Sequence, residues 1–358
     1  MPPQTRESNK IAFFMKKNKP FTIFIILFIA LVAIFIFSLC VGSVNISAKD
    51  ILNALFGKLI KISSSNNEPS AISASTIIIR SIRLPRVFAG LLAGIGLASA
   101  GVVLQGIMNN SLAGPNTIGV NSGAGFFVML AMLFLPGKLW ATPVFAFIGS
   151  LITTLAIFLL AYLGDRSRTT IILAGITVSS FLSAGINLIK LLDTDISINI
   201  TTFLVGSLAG INANNLYIPA IGIVIAFIIL LFLAKALNML ALGDEIAMSL
   251  GLNINVTRFS LLILSSILAG CVVSFAGLLS FVGLIVPHIC RKLVGNDAKL
   301  LLPCSALLGG CFVMLSDALG RVIFAPYELP VGIIMAFIGG PFFMYLLLKK
   351  KGGRRLNA

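Results

Sequence analysis

Arg80-Ser81-Ile82-Arg83-Leu84-Pro85-Arg86 opens a long apolar run with three arginines, on the side of a membrane where basic residues are ordinarily scarce. The side follows from what precedes it. The first apolar segment, Phe21 to Val41, comes after a basic stretch with Lys10, Lys16, Lys17 and Lys19, so that stretch stays inside and the segment exits. From Gly42 to about Ser81 the chain is then outside. Arginines retained there against the usual bias point to an acidic partner arriving from outside.

Composition sets the class. With 58% hydrophobic and 10% charged residues and a mean hydropathy of +1.08, the chain is far more apolar than a soluble domain, where charged residues run near a quarter. An all-α, polytopic integral membrane protein follows. The net charge of +15 does not indicate a nucleic-acid partner, because most basic residues sit in the tails and in short connections, as membrane topology requires. Cys40, Cys271, Cys290, Cys304 and Cys311 show no C-x-x-C spacing and read as small core residues. Phe21 to Val41, with no small-x-small cleavage site after it, reads as a retained span.

Runs long enough to cross a bilayer lie near 21–41, 86–108, 117–135, 143–163, 169–191, 216–235, 256–276, 301–323 and 329–348. A shorter tenth, 278–294, is interrupted by Pro287, His288 and Arg291. Ten spans place both basic ends, the N-terminal lysines and Lys349-Lys350-Lys351 with Arg354 and Arg355, on the inner side. The chain then divides into a basic tail (1–20), one membrane domain (21–348) and a second basic tail (349–358). Inner connections fall at 109–116, 164–168, 236–255 and near Arg291. The outer ones fall at 42–81, 136–142, 192–215, near Gly277 and at 321–328, so Arg321 joins Arg80, Arg83 and Arg86 on the outer face.

Gly90-x-x-x-Gly94 and Gly96-x-x-x-Ala100 in the second span are patterns that let helix backbones approach closely. Leu92-Ala93-Gly94 with Ala100-Gly101 recurs as Leu268-Ala269-Gly270 with Ala276-Gly277, five spans away and oppositely directed, a weak mark of an inverted repeat.

No phosphate loop, zinc-protease helix or nucleophile elbow occurs, so no catalytic residue is expected, and uphill transport would draw on an ion gradient or a separate ATPase. His288 stands alone and reads as a helix-end residue rather than a metal ligand. Ion-driven carriers bury ionisable groups at mid-membrane. Here Lys190, Asp193 and Asp195 lie at a span's end, and Asp317 and Arg321, four apart, either pair with each other or leave Arg321 for a partner. On the inner side, Gly243-Asp244-Glu245-Ile246-Ala247-Met248-Ser249-Leu250-Gly251 has a helix start, an apolar face of Ile246, Ala247 and Leu250, and a glycine stop. It is either an interfacial helix or a knob that docks a cytoplasmic partner.

Several segments, in order, carry a resemblance: Arg83-Leu-Pro-Arg86; Ala100-Gly-Val-Val-Leu-Gln105-Gly106; Asn110 with Leu112-Ala113 and Pro115; Gly206-Ser207-Leu208; Leu242 to Gly251; Phe281 to His288 with Arg291; Asp317; Arg321; Glu328-Leu-Pro-Val-Gly332; and Gly340-Pro-Phe-Phe343. Over about residues 80–348 the chain resembles the FecCD family, permease subunits of ATP-binding-cassette importers for ferric siderophores, haem and cobalamin. The resemblance implies a dimer with a second, identical or paralogous permease and two ATPase subunits that carry the ATP and Mg, with no cofactor on this chain. It further implies a periplasmic or lipid-anchored binding protein that delivers a metal chelate, siderophore or haem ahead of cobalamin, at a bacterial or archaeal cytoplasmic membrane. By position it implies binding-protein docking at Arg83, Arg86 and Arg321. ATPase coupling falls to Gly243, Asp244, Glu245, Ala247, Leu250 and Gly251, and a path or gate to Gln105, Asn110, Phe203, Gly206 and Ser207. The chain departs from the family pattern at Asn109, Ser111 and Gly114 in the first inner turn, and at Phe203, where the family commonly has tryptophan. An ion-driven carrier is the competing expectation.

Overall fold

The computed structural model describes residues 5–42, 74–115, 119–138, 140–164 and 167–352. Most of the outer segment after the first span (43–73) and the end of the C-terminal tail, with Arg354 and Arg355, lie outside these residues. Among the described residues every regular element is helical. The helices are α1 (Thr5–Cys40), α2 (Leu84–Ile107), α3 (Val120–Phe134), α4 (Ala141–Leu163), α5 (Arg168–Leu192), α6 (Thr194–Val205), α7 (Ala213–Phe232), α8 (Ala234–Ala241), α9 (Asp244–Ser249), α10 (Ile254–Ala276), α11 (Val282–Val294), α12 (Ala298–Val322) and α13 (Val331–Gly352).

Seven stretches are long and apolar enough to cross a membrane: Pro20–Cys40, Ile78–Ile107, Ala141–Leu163, Thr169–Leu192, Ala213–Phe232, Ile254–Ala276 and Ala298–Val322. Two shorter apolar helices, Val120–Phe134 and Val331–Leu346, together with α11, correspond to the other three expected runs. Helix starts are fixed by side chains that accept otherwise unmet N–H groups: Ser167 from Thr170 at 3.1 Å, Asn253 from Val256 at 3.2 Å and Asp297 from Lys299 at 3.0 Å.

The packing is organised around α2, which touches α12, α10, α11 and α7 and is almost wholly buried. Its small residues explain why. A β-carbon at Gly94 would overlap the backbone of Gly309 on α12, and one at Gly101 would overlap Gly283 on α11. Without a hydrophobic drive between helices in lipid, this close backbone approach supplies the dispersion contacts that hold spans together. The outer helices α1, α5 and α7 expose large apolar side chains such as Phe28, Phe181 and Ile218, the surface a membrane or a second subunit covers.

Three features differ from the sequence expectation. The second span begins earlier: Ala74–Ile77 is helical and Ile78–Arg83 is π-helical, so Arg80 and Arg83 lie inside the helix rather than at its mouth. The connection expected over 192–215 contains α6, started by Asp193, whose carboxylate accepts the N–H groups of Asp195 and Ile196, both at 3.0 Å. Ile196 and Ile200, four apart, turn into the core. Third, the expected tail at 349–358 is helical as far as Gly352.

With 13 residues, α11 is only about 20 Å long and falls short of the bilayer core. The irregular Gly277–Phe281 stretch links it to α10. Its backbone is met by neighbours, Leu278 N–H donating to Phe203 O at 2.9 Å and Ser207 N–H to Ala276 O at 2.9 Å. Irregular backbone at membrane depth persists only where protein or a water-filled cavity surrounds it.

Candidate functional site

At the end of the bundle that the charge bias would place outside, Arg83, Arg86 and Arg321 converge, but they point inward. They are 5%, 7% and 2% exposed. Arg86, near the start of α2, reaches Asp317 on α12 through Nε at 3.0 and 3.1 Å and Nη2 at 3.0 Å, and its Nη1 donates to Glu328 Oε2 at 2.6 Å. Arg321 Nε lies 3.2 Å from the other oxygen of Asp317. The expected pairing of Asp317 with Arg321 is thus present, with Arg86 added from another helix.

The rest of the cluster is directed at α1. Arg83 Nη1 donates to the carbonyls of Leu39 and Cys40 at 2.7 and 2.9 Å. Arg321 donates through Nη1 to Val41 O at 2.7 Å and through Nη2 to Ser38 O and Oγ at 3.0 and 2.7 Å. The last carbonyls of a helix have no partner within it and carry partial negative charge, so cations from α2 and α12 satisfy both needs. The expectation of an outward arginine patch is therefore corrected. The positive-inside bias is offset here by two carboxylates and a helix end of the same chain.

The residues expected to line a path fall into two groups at opposite ends. Gln105, 3% exposed, donates through Nε2 to Gly283 O at 3.2 Å and accepts from Arg291 Nη1, which joins α2 to α11. Asn110 folds its own turn, its side chain accepting Leu112 N–H at 2.9 Å, beside Asn109 with its positive φ of 46°. Around them opens a cavity of about 340 Å³ lined by Asn109, Ser111, Asn238 and Arg291. Asn238 donates to Asp297 at 2.7 Å and accepts Ala298 N–H at 2.8 Å, which holds the Asp297 carboxyl below the usual range. Phe203, Gly206 and Ser207 form the outer junction, where Gly206 O also accepts Gly332 N–H at 3.1 Å.

In the inner loop, Gly243 takes a φ of 113° and α9 follows as a six-residue helix ended by Gly251 at φ 83°. The expected apolar face divides. Ala247 is 0% exposed and packed into the main core, whereas Ile246, Met248 and Leu250 project outward with Leu242. Asp244 is held by Arg258 of α10, whose Nη2 lies 3.0 and 2.8 Å from the two carboxylate oxygens. Sequence reading passed over Arg258. The available signal was an arginine one turn inside an apolar span, 14 positions after an aspartate. His288 stands edge-on to Phe342, as a helix-packing residue, and among the described residues no cluster of metal-ligating side chains occurs.

The profile of the FecCD transport family matches residues 30–349. The chain is 34% identical to the Fe(3+)-citrate import system permease protein YfmE of Bacillus subtilis (strain 168), over 93% of this chain and 96% of that protein. It is 37% identical to the hemin transport system permease protein HmuU of Yersinia pestis, over 76% and 84%. A solved metal-chelate type ABC transporter in an inward-facing conformation aligns with a TM-score of 0.80 at 32% identity, covering 92% of this chain and 99% of that one. A buried, glycine-packed helical bundle with these relatives leaves one assignment: the chain belongs to the FecCD transport family.

Proposed function

We propose that this chain is the membrane-spanning permease subunit of an ATP-binding-cassette importer for an iron chelate, siderophore, ferric citrate or haem ahead of cobalamin. It works beside a second permease, with two ATPase subunits on the inner face that bind ATP and Mg, and a binding protein outside. Both termini lie in the cytoplasm. Helix α9 carries the reading: a short helix anchored by Ala247 presents Ile246, Met248 and Leu250 outward at the inner face, the form a docking knob needs. The outer rim above the arginine cluster is the landing place for the binding protein, with Arg80 exposed there and Glu328 partly so.

The burial of carboxylates favours an external motor over an ion gradient. Among the described residues Asp317 is the buried carboxylate, and two arginines already neutralise it, whereas a coupling ion needs a carboxylate that can exchange partners. Reconstituted importer should take up ⁵⁵Fe chelate only with ATP inside and should be indifferent to a protonophore. Uptake driven by a proton gradient without ATP would replace this reading with a secondary carrier.

A further inference from the structure

We propose that Arg258 is a positioning residue for energy coupling: its ion pair with Asp244 makes the inner-loop helix α9 and the span α10 move as one piece. The inference rests on the reading of α9 as the ATPase docking helix.

The geometry gives α9 an attachment at each end. On its C-terminal side only Leu250 to Asn253 separate it from α10, and Leu252 N–H donates to Ala247 O at 3.0 Å. This link contains Gly251 with its positive φ, a point about which a six-residue helix can pivot. On the N-terminal side, Asp244 is the first residue of α9, and Arg258 grips both of its oxygens from the second turn of α10. Two attachments at opposite ends remove the pivot.

Burial makes the grip stiff. Arg258 is 4% exposed, and a buried guanidinium is costly unless paired. The void beside it, lined by Phe158, Tyr162, Ile171 and Asn255, has a volume of about 10 Å³, at the limit for one water, so on that side the guanidinium has little room for solvent in place of a partner. Separating α9 from α10 therefore strands a charge, whereas moving both together costs nothing at the pair. Because α10 packs along α2, α4 and α7, a displacement imposed on α9 enters the bundle through Arg258 rather than dissipating in the loop.

The test uses the complete importer, with ATPase subunits and binding protein, in proteoliposomes. The ⁵⁵Fe or haem probe is whichever of ferric citrate, a ferric hydroxamate or haemin the unaltered importer accepts. In R258Q the ATPase stays attached and hydrolyses ATP within about twofold of normal, while probe taken up per ATP falls by about tenfold, inside the range expected for mutations along a coupling network. D244N, a change on the partly exposed partner, lowers the probe taken up per ATP by a similar factor and decides the matter if R258Q does not accumulate. R258K, which keeps the charge, recovers part of the ratio, and the D244N/R258Q double is no worse than either single, as for residues acting as a unit. An unchanged ratio in D244N, additive losses in the double, or loss of ATPase attachment in R258Q each overturn the proposal. The docking reading falls separately, if the ATPase stays bound when Leu250 is made charged.

Discussion

Arg86 and Asp317, 231 positions apart in the chain, face each other inside the bundle with both Nε and Nη2 of the arginine on the carboxylate. This forked pairing joins α2 to α12 at the outer end, a few turns above the Gly94–Gly309 crossing that joins the same two helices lower down. Removing one member leaves a buried charge short of its partner. R86Q and D317N should each lower stability by about 3–5 kcal/mol, with a double variant well short of the sum. Thermal unfolding of the detergent-purified subunit measures this. If R86Q instead keeps normal stability and loses only binding-protein affinity, the arginine serves the partner rather than the fold.

The division of the inner-loop helix predicts two different failures. L250D puts a charge on the outward face and should release the ATPase on purification while the permease itself stays folded. A247D instead buries a carboxylate in the main cluster, which is costly without a partner, and should reduce accumulation of the permease itself. Equal behaviour of the two variants in copurification and in yield would contradict the placement of Ala247 and Leu250 on opposite faces.

At the helix crossing, G94A introduces a methyl group where the Gly309 backbone already sits, and overpacking of this kind costs about 1–3 kcal/mol or more. G340A, in α13, meets nothing nearby and should be neutral. Midpoints of thermal unfolding for the two variants separate close packing from a general intolerance of added bulk.

Topology is open to direct measurement in a background lacking the five cysteines. A cysteine at Asn214, exposed in the first turn of α7, should react with a membrane-impermeant maleimide on intact cells, and one at Asn296, exposed before α12, only after lysis. The reverse pattern would invert every inner and outer assignment above.

The apolar helices were legible because each run is long or ends at a glycine, proline or charge, and the small-residue spacing in α2 marked the helix on which the others pack. That Arg83, Arg86 and Arg321 share one end of the bundle was legible too, since it follows from the order and number of the apolar runs. Their direction was not. The groups that turn them inward, Ser38, Val41 and Glu328, are remote in sequence or are backbone carbonyls, which no side-chain pattern reveals. Helix α9 shows the same limit on a smaller scale: in two turns, Ala247 and Leu250 are both apolar at helical spacing, and only the bundle beneath decides which is buried. Arg258 was hidden by its surroundings, a single charge at the edge of a span that length and hydropathy alone define.

The clasp of Arg321 on the end of α1 has a consequence in time. Ser38 leaves the ribosome 283 residues ahead of Arg321, an interval of about 15–60 s at ordinary rates of synthesis. Arg83 follows Cys40 by only 43 residues and can take the Leu39 and Cys40 carbonyls early, while water or lipid headgroups occupy the Ser38 and Val41 groups that Arg321 later takes. The end of the first helix is thus fixed in two stages, half of it early and half near the close of synthesis. A nascent chain that stops short of Arg321 carries a half-clasped leading span, which distinguishes an unfinished subunit from a finished one.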